Sequence, residues 1–460
     1  MKRLSLFAAM ACVGLLSFSC ADPDGDGGRP RGRGRGGQNG AHGDDDFNSQ
    51  AELWNVISMG DKETCVNLPT TGKHYCFGRG QAVKADAALT QFKVQDKSLS
   101  ADAIVMAGQR YFLAFESKDP EKPDVHTSGF PPAYEAPINV TGGKADLVKK
   151  KIVLRRPIET KRRYACFIAK VDSREDQLVC SAGKEGIAMA EKEGLFKAGV
   201  LQDGLFSVIN LGDEVKKAGI KAASGNQWNI ALLLNDGRLR WMGANQRNQM
   251  QDGNKNSEFT PIALKGYEDH KFTDVSVGGH DVKGFARDKT SMCALTEDGK
   301  AVCAGDLKEY EVSSDGTAVS SPFISGIAKG ALLKAIAVGG KHLAVLTRNG
   351  DLYIEGDNTY GQAGKPSNIK EVKSSEKTPV TFPDANGVEI KKFAAVFAGE
   401  ASTGVIVWRE NENDPIRIFF AGRNAARSLF PRLGDEKIFG FREWTVAAPP
   451  KPATDANTGA

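Results

Sequence analysis

Cysteines carry the sharpest chemistry in this 460-residue chain, which has eight of them. Cys12 and Cys20 stand near the N-terminus. The other six form three close pairs: Cys65 with Cys76, Cys166 with Cys180, and Cys293 with Cys303. A metal site needs tighter clusters such as Cys-x-x-Cys, and the chain has none. Each pair instead flanks a turn-like stretch. For the last pair, a three-residue loop Glu297-Asp298-Gly299 sets the two cysteines directly opposite each other in a hairpin, with the glycine suited to a bulge. Opposed residues at a non-hydrogen-bonded site lie about 4.5 Å apart at Cα, within disulfide reach. Three cross-hairpin disulfides are expected, and they imply an oxidising compartment.

The six histidines, at 42, 74, 126, 270, 280 and 342, form no recognisable catalytic spacing. There is no Gly-x-Ser-x-Gly elbow, His-Glu-x-x-His, phosphate-binding loop or dinucleotide fingerprint. No catalytic residue, cofactor or metal site is expected. Asp22-Pro23-Asp24-Gly25-Asp26-Gly27 opens like a calcium loop, but its twelfth position is Arg33 rather than Glu. Arg29, Arg31, Arg33 and Arg35 alternate with Gly and Pro like an RNA-binding tract. The net charge of only +4 argues against a nucleic-acid partner; attachment to an anionic polymer is the alternative.

Residues 1–19 read as an export signal: basic Lys2 and Arg3, then an apolar run from Leu4 to Leu16, too short to span a bilayer. The placement of Cys20 resembles a bacterial lipoprotein signal, in which that cysteine is lipidated and becomes the new N-terminus. The usual Leu three residues before the cysteine is Ser17 here, and Leu16 lies one place further back. Ser17-x-Ser19 would equally serve an ordinary signal peptidase. Residues 20–46 are rich in Gly, Arg and Asp and nearly free of apolar side chains, so a flexible tether is expected. Residues 447–460 are low-complexity and expected to be disordered.

The elements that position the cysteines are hairpins, and they repeat. The clearest copy is Leu333 to Gly364. A strand ends at Gly339-Gly340, a hairpin turns at Asn349-Gly350, and an exit loop follows from Gly356. Similar strand ends occur at Gly60, Gly108, Gly225, Gly278 and Gly399, with Thr160 in a degenerate copy. Second glycines stand at 78, 129, 183, 243, 305, 356 and 422. The spacing is about 56 residues. Trp241, Ile354, Phe420, Cys76 and Cys303 each sit two residues before their second glycine. Turn arithmetic puts Ala231 opposite Trp241 and Ala344 opposite Ile354. The disulfides therefore replace a small–large apolar pair on one sheet face.

This pattern resembles the regulator-of-chromosome-condensation repeat, which reads as apolar strand, Gly-x-x-His, a hairpin with Asp-Gly or Asn-Gly, and Gly-x-Asn-x-x-Gly-Gln. The resemblance implies an all-β, seven-bladed β-propeller over residues 47–446. It assigns His342 a structural hydrogen bond, with His280, Trp228 and Tyr111 at or near the equivalent place. The first repeat lacks an opening strand of the kind read at Thr378 to Thr381. Residues 437–446 are β-prone and unassigned, so they are expected to join the blade of Cys65 and Cys76 and close the disc. The resemblance also implies a non-catalytic, monomeric binding protein with an unknown protein partner. An exported location makes the cell envelope its site, on the outer membrane or cell surface if lipidated, and periplasmic or secreted otherwise. A carbohydrate- or polymer-binding protein is the alternative, and an enzyme at the channel or inserted loops is a third. The inserts 119–145 and 281–290 are the expected partner surface.

Overall fold

The computed structural model describes segments between residues 53 and 445. Residues 1–52, 79–92, 138–152, 246–257, 280–289, 306–330 and 446–460, with shorter stretches between strands, lie outside the described residues. Everything described falls within one unit, Asp46–Ala460. It is nearly all β and has a β-propeller arrangement. Five sheets have four strands, spanning 104–137, 153–208, 220–263, 333–372 and 393–444; two have three, spanning 57–78 and 272–305. We number these sheets one to seven in chain order. The stretch after Cys180 holds α1 (Lys184–Lys192) and α2 (Gly212–Ala218), with the fourth strand of sheet three between them.

Strand order within each of the seven follows chain order. The first strand of each is innermost, and in sheets four to seven these strands pack against one another in succession. In sheets four to seven the second strands are buried on both faces, so they read as continuous rather than alternating runs. Asn229–Leu234 and His342–Thr347 are buried at every position. Hairpin turns do more than reverse the chain. In sheets four, five and six, the turn glycine's carbonyl accepts a hydrogen bond from the inner strand of the next sheet: Phe272 N to Gly237 O, Leu333 N to Gly299 O, and Phe393 N to Gly350 O. Gly237, Gly299 and Gly350 all have φ between +73° and +85°.

The small–large pairing holds in register. Cα partners across the second and third strands are Cys65 with Cys76, Cys166 with Cys180, Ala231 with Trp241, Cys293 with Cys303, Ala344 with Ile354, and Gly404 with Phe420. The three cysteine pairs are bonded, with Cα atoms 4.1–4.2 Å apart. In sheets three to seven the pair faces the following sheet, sheet one following sheet seven. Ala231 and Trp241 pack on Phe272 and Met292. Cys293 and Cys303 pack on Ile336 and Leu343. Ala344 and Ile354 pack on Phe393 and Val405. A Cβ on Gly404 would lie 2.8 Å from the Phe420 ring and 3.1 Å from Met59 Sδ of sheet one, so no larger residue fits.

The junction of sheets seven and one corrects the expected closure. The strand Lys437–Trp444 does not pair with the blade of Cys65 and Cys76. It runs antiparallel to Ile418–Arg423 as the outer strand of sheet seven, from Ile418 opposite Trp444 to Arg423 opposite Lys437. Thr378 to Thr381 is likewise no opening strand; the nearest strand begins at Phe382, in a separate two-stranded ribbon. Because a blade's strands are contiguous in the chain, the last segment finds its partner in its own sheet at the lowest loop-closure cost. The two sheets meet by packing instead. Trp444 lies 5.7 Å from the Tyr75 ring and 5.9 Å from that of Phe77, stacked on the latter. Met59, Phe77, Ile406, Phe420 and Trp444 share one core cluster. In sheet three, Ala182 rather than Gly183 pairs with Tyr164 at the position of the second glycine.

Two outcomes follow. Trp444→Ala removes the ring between the first and last sheets and should cost about 3–5 kcal/mol. Calorimetry should show one cooperative transition at lower temperature; an unchanged melting point would contradict closure by packing. Replacing Cys293 and Cys303 together by Ala and Ile copies the Ala344–Ile354 pair. That variant should fold and lose no more than the roughly 2–3 kcal/mol of the disulfide. The Ser–Ser variant should be less stable than the Ala–Ile variant, because it buries two hydroxyls between sheets. Urea denaturation of the three proteins gives the comparison.

Candidate functional site

The site grows from the first glycine of the clearest repeat. Gly339 N donates to His342 O at 2.8 Å. A Cβ on Gly339 would lie 2.1 Å from His342 Cε1, so only glycine lets the imidazole lie over the backbone. His342 is fully buried, and its Nε2 lies 2.9 Å from Thr403 Oγ1 in sheet seven. That hydroxyl donates its one hydrogen to Gln362 O at 2.7 Å. Nε2 must therefore carry the imidazole proton and donate it to the threonine. The histidine has the structural role expected of it.

The equivalent place is the residue opposite the second glycine. It is held by Asn229, Ser291, Ser402 and Tyr111. Trp228 is one residue out of register, which corrects its assignment: Asn226 stands where Gly339 stands, with its N–H donating to Asn229 O. The Asn226 amide in turn donates to Gly278 O of sheet five at 2.8 Å. His280 lies outside the described residues, and Ser291 fills its expected place.

Gln362 belongs to the exit loop, and the loop is fixed at both ends. Gly356 has φ +99°, and a Cβ there would lie 2.3 Å from Lys341 O. Asn358 is buried; its amide donates to Ile369 O at 2.7 Å and its carbonyl accepts from Ala363 N at 3.0 Å. Asn424 does the same work in sheet seven, accepting from Leu429 N and Phe430 N. Gly361 rests on the outer strand of sheet seven, where a Cβ would come within 2.2 Å of Ile438 O. These contacts hold the backbone on either side of Tyr360, whose own N–H donates to Gln362 Oε1 at 3.0 Å.

Tyr360, partly exposed, is flanked by two cations. The Arg423 guanidinium and the Lys437 ammonium each lie 5.1 Å from its ring centroid. Arg423 and Lys437 are themselves directly opposed at the end of a strand pair. Lys370 lies 5.8 Å from the ring of Phe439 nearby. The matching positions of sheet six hold the opposite sign, Asp357 opposed to Glu371. Asp357 is tied into its loop by Gln362 Nε2 at 3.0 Å and Thr359 N at 2.9 Å. At the far end of sheet seven, Arg417 grips Glu443 through two 2.8 Å bonds and Asp384 at 3.0 Å. The Glu443 carboxylate raises the guanidinium's pKa, while hydrogen bonds from the Val388 and Asn386 backbone, then Arg417, lower that of Asp384. Among the described residues no group of three His, Cys, Asp or Glu is placed to hold a metal ion. The arrangement offers fixed charge and an aromatic face, which suit holding a partner.

The other sequence candidates fall elsewhere. His74 is buried and donates from Nδ1 to Asn67 Oδ1 at 2.9 Å, and Asn67 bonds to Val105 O of sheet two, so it links sheets. Cys20, 281–289 and most of 119–145 lie outside the described residues; the strands Asp124–Gly129 and Glu135–Pro137 within that insert belong to sheet two. The sequence reading missed Thr403, Tyr360, Arg423 and Lys437. Tyr360 and Arg423 sit inside exit loops it had aligned, but Thr403 and Lys437 join them only through neighbouring sheets.

Thr403→Val keeps the shape and removes the hydroxyl between His342 and Gln362. It leaves two buried polar groups without this partner and should cost about 1–3 kcal/mol. Thermal denaturation measures the loss, and an unchanged midpoint would show that the relay does not hold the loop.

A family model described as the regulator of chromosome condensation (RCC1) repeat matches residues 333–362. An RCC1 repeat-containing protein of Dictyostelium discoideum is 28% identical over 195 residues, which are 40% of this chain and 37% of that protein. The chain spans a minority of the length of the curated relatives it matches. Among solved structures, human WBSCR16 is similar with a TM-score of 0.55 and 15% identity, over 79% of this chain and 84% of that one. Yeast RCC1 (Prp20), solved with Kap60 bound, has a TM-score of 0.51 and 16% identity over 90% of each chain. The chain therefore has a β-propeller arrangement similar to these structures, and its segment 333–362 matches the RCC1 repeat.

Proposed function

We propose that this chain is a non-catalytic protein-binding propeller of seven blades, the two three-stranded sheets counting as blades, and that it works as a monomer in a bacterial cell envelope. Residues 1–19 direct export, Cys20 carries the lipid, and 20–46 tether the domain of residues 47–446. One observation carries the binding role: the exit loop of sheet six holds Tyr360 rigidly between Arg423 and Lys437 at a solvent-facing edge. A preformed aromatic surrounded by charge binds a partner at low ordering cost. Yeast RCC1, of similar architecture, is held by a protein, Kap60. Three disulfides favour an oxidising compartment. No helix among the described residues is long and apolar enough to cross a membrane.

Carbohydrate binding is a second reading, favoured by Trp408. This ring is 36% exposed and has the Lys334 ammonium 5.3 Å from its centroid, a surface on which a sugar could stack.

The mature chain, immobilised and exposed to envelope extract, should retain a discrete protein identifiable by mass spectrometry. Tyr360→Ala should weaken that capture without lowering the melting temperature, because the ring is partly exposed. Retention of polysaccharide alone, lost with Trp408→Ala, would decide for the second reading.

A further inference from the structure

We infer that Asn386 and Gly387 form a site of spontaneous modification, at which the asparagine loses ammonia and becomes aspartate or isoaspartate, and that blade packing protects the same dipeptide at Asn349-Gly350. The inference stands apart from the binding role. The two turns share one local geometry. In each, a three-residue loop is closed by a backbone pair, Thr347 N to Asp351 O at 2.9 Å in one and Asp384 N to Val388 O at 2.8 Å in the other. Gly350 N donates to Thr347 O and Gly387 N to Asp384 O, both at 3.0 Å. A side-chain oxygen just before each loop accepts from the residue just after it, Thr347 Oγ1 from Asp351 N and Asp384 Oδ1 from Val388 N. Both glycines have φ +80°. Sequence and turn type make the two sites equal, and only their surroundings separate them.

The turn of sheet six is gripped by sheet seven. Gly350 is buried, its O accepts from Phe393 N at 2.8 Å, and a Cβ there would lie 3.2 Å from Phe393 O. Lys392 holds Asp351 at 2.6 Å. The ribbon tip is open: residues 385–389 are all exposed, and a Cβ on Gly387 would meet nothing within 4 Å. The reaction needs the backbone to move. Gly387 N gives up its proton and attacks Asn386 Cγ; the new C–N bond closes a cyclic imide as the Cγ–Nδ2 bond breaks and ammonia leaves. Water then opens the imide. Breaking the bond from N to Cγ gives aspartate, and breaking the bond from N to the main-chain carbon gives isoaspartate. Nothing is oxidised or reduced. Glycine suits the attack because it has no side chain to crowd the ring. Bringing N onto Cγ breaks the bond from Gly387 N to Asp384 O, which the exposed tip can do alone; at Gly350 the same movement must also part sheets six and seven. The new carboxylate arises beside Asp384, which accepts from Asn386 N and anchors the ribbon to Arg417.

The test incubates the full mature chain in mildly alkaline buffer and maps its peptides by mass spectrometry, with a short peptide spanning 383–390 as the unfolded reference. Asn386 should convert at close to the peptide's rate and yield isoaspartate as well as aspartate. The rate should rise with pH, because the attacking nitrogen must lose its proton. Asn349 should convert at least about tenfold more slowly, since it waits for sheets six and seven to open. In urea beyond the unfolding midpoint the two should convert at similar rates. Asn386→Gln should abolish the product at that position and leave the Asn349 rate unchanged. Equal rates in the native protein, a faster rate at Asn349, or no conversion at Asn386 while the peptide converts would each overturn the inference. So would aspartate without isoaspartate, or an Asn349 that stays slow in urea, since its protection would then be local.

Discussion

The structure depends on one packing constraint: each sheet must present to the next a thin, shape-matched face. Packed sheets sit about 10 Å apart, and neighbouring strands in one sheet under 5 Å apart, so opposed side chains compete for the same gap. The chain solves this with one small and one large residue, as in Ala231 with Trp241, Ala344 with Ile354, and Gly404 with Phe420. A disulfide is a third solution, since two opposed cysteines fill the space of one large side chain and lie flat between sheets. The three disulfides therefore belong to the same interface as the apolar pairs and are buried like them. Their cross-linking restricts the unfolded chain while their sulfurs pack the folded one.

Backbone contacts carry that constraint to both rims of sheets four to seven. On the turn side, the glycine carbonyl of one hairpin receives the N–H of the next inner strand. On the exit-loop side, Gly279 N donates to Gly339 O and Gly340 N to Glu400 O. Side-chain bonds lie between these: Ser224 Oγ accepts from Val277 N, and Ser276 Oγ from Val338 N, each at 2.9 Å. A blade of this kind satisfies part of its backbone only when its neighbour is present, which is why such repeats are stable as arrays and not singly.

The same economy shapes the candidate site. Most buried polar groups of the exit loops, such as Asn358, Asn424 and Gln362, bond to nearby backbone or side chains. They are committed to holding loops still. Tyr360, Arg423 and Lys437 stand at the solvent edge of that scaffold. Recognition built on fixed loops is the usual use of a rigid propeller rim.

The sequence by itself determined the local geometry. Cys293 and Cys303 could be paired from a three-residue turn, and Ala231 with Trp241 from the same arithmetic, because hairpin register is set by the few residues of its loop. The glycines at 356 and 422 could be found because their positive φ and close backbone approach exclude any Cβ. His342 could be given a hydrogen bond but not a partner, since Thr403 is 61 residues away and in another sheet. The shift from Trp228 to Asn229 was hidden because Gly225 imitates a landmark that Asn226 in fact occupies. The destination of Lys437–Trp444 was hidden for a deeper reason. A β-prone strand can add to any free edge, and its residues do not name the edge. Only tertiary structure decided that it completes its own sheet and reaches the first by Trp444, because loop closure and ring packing are summed over the whole fold.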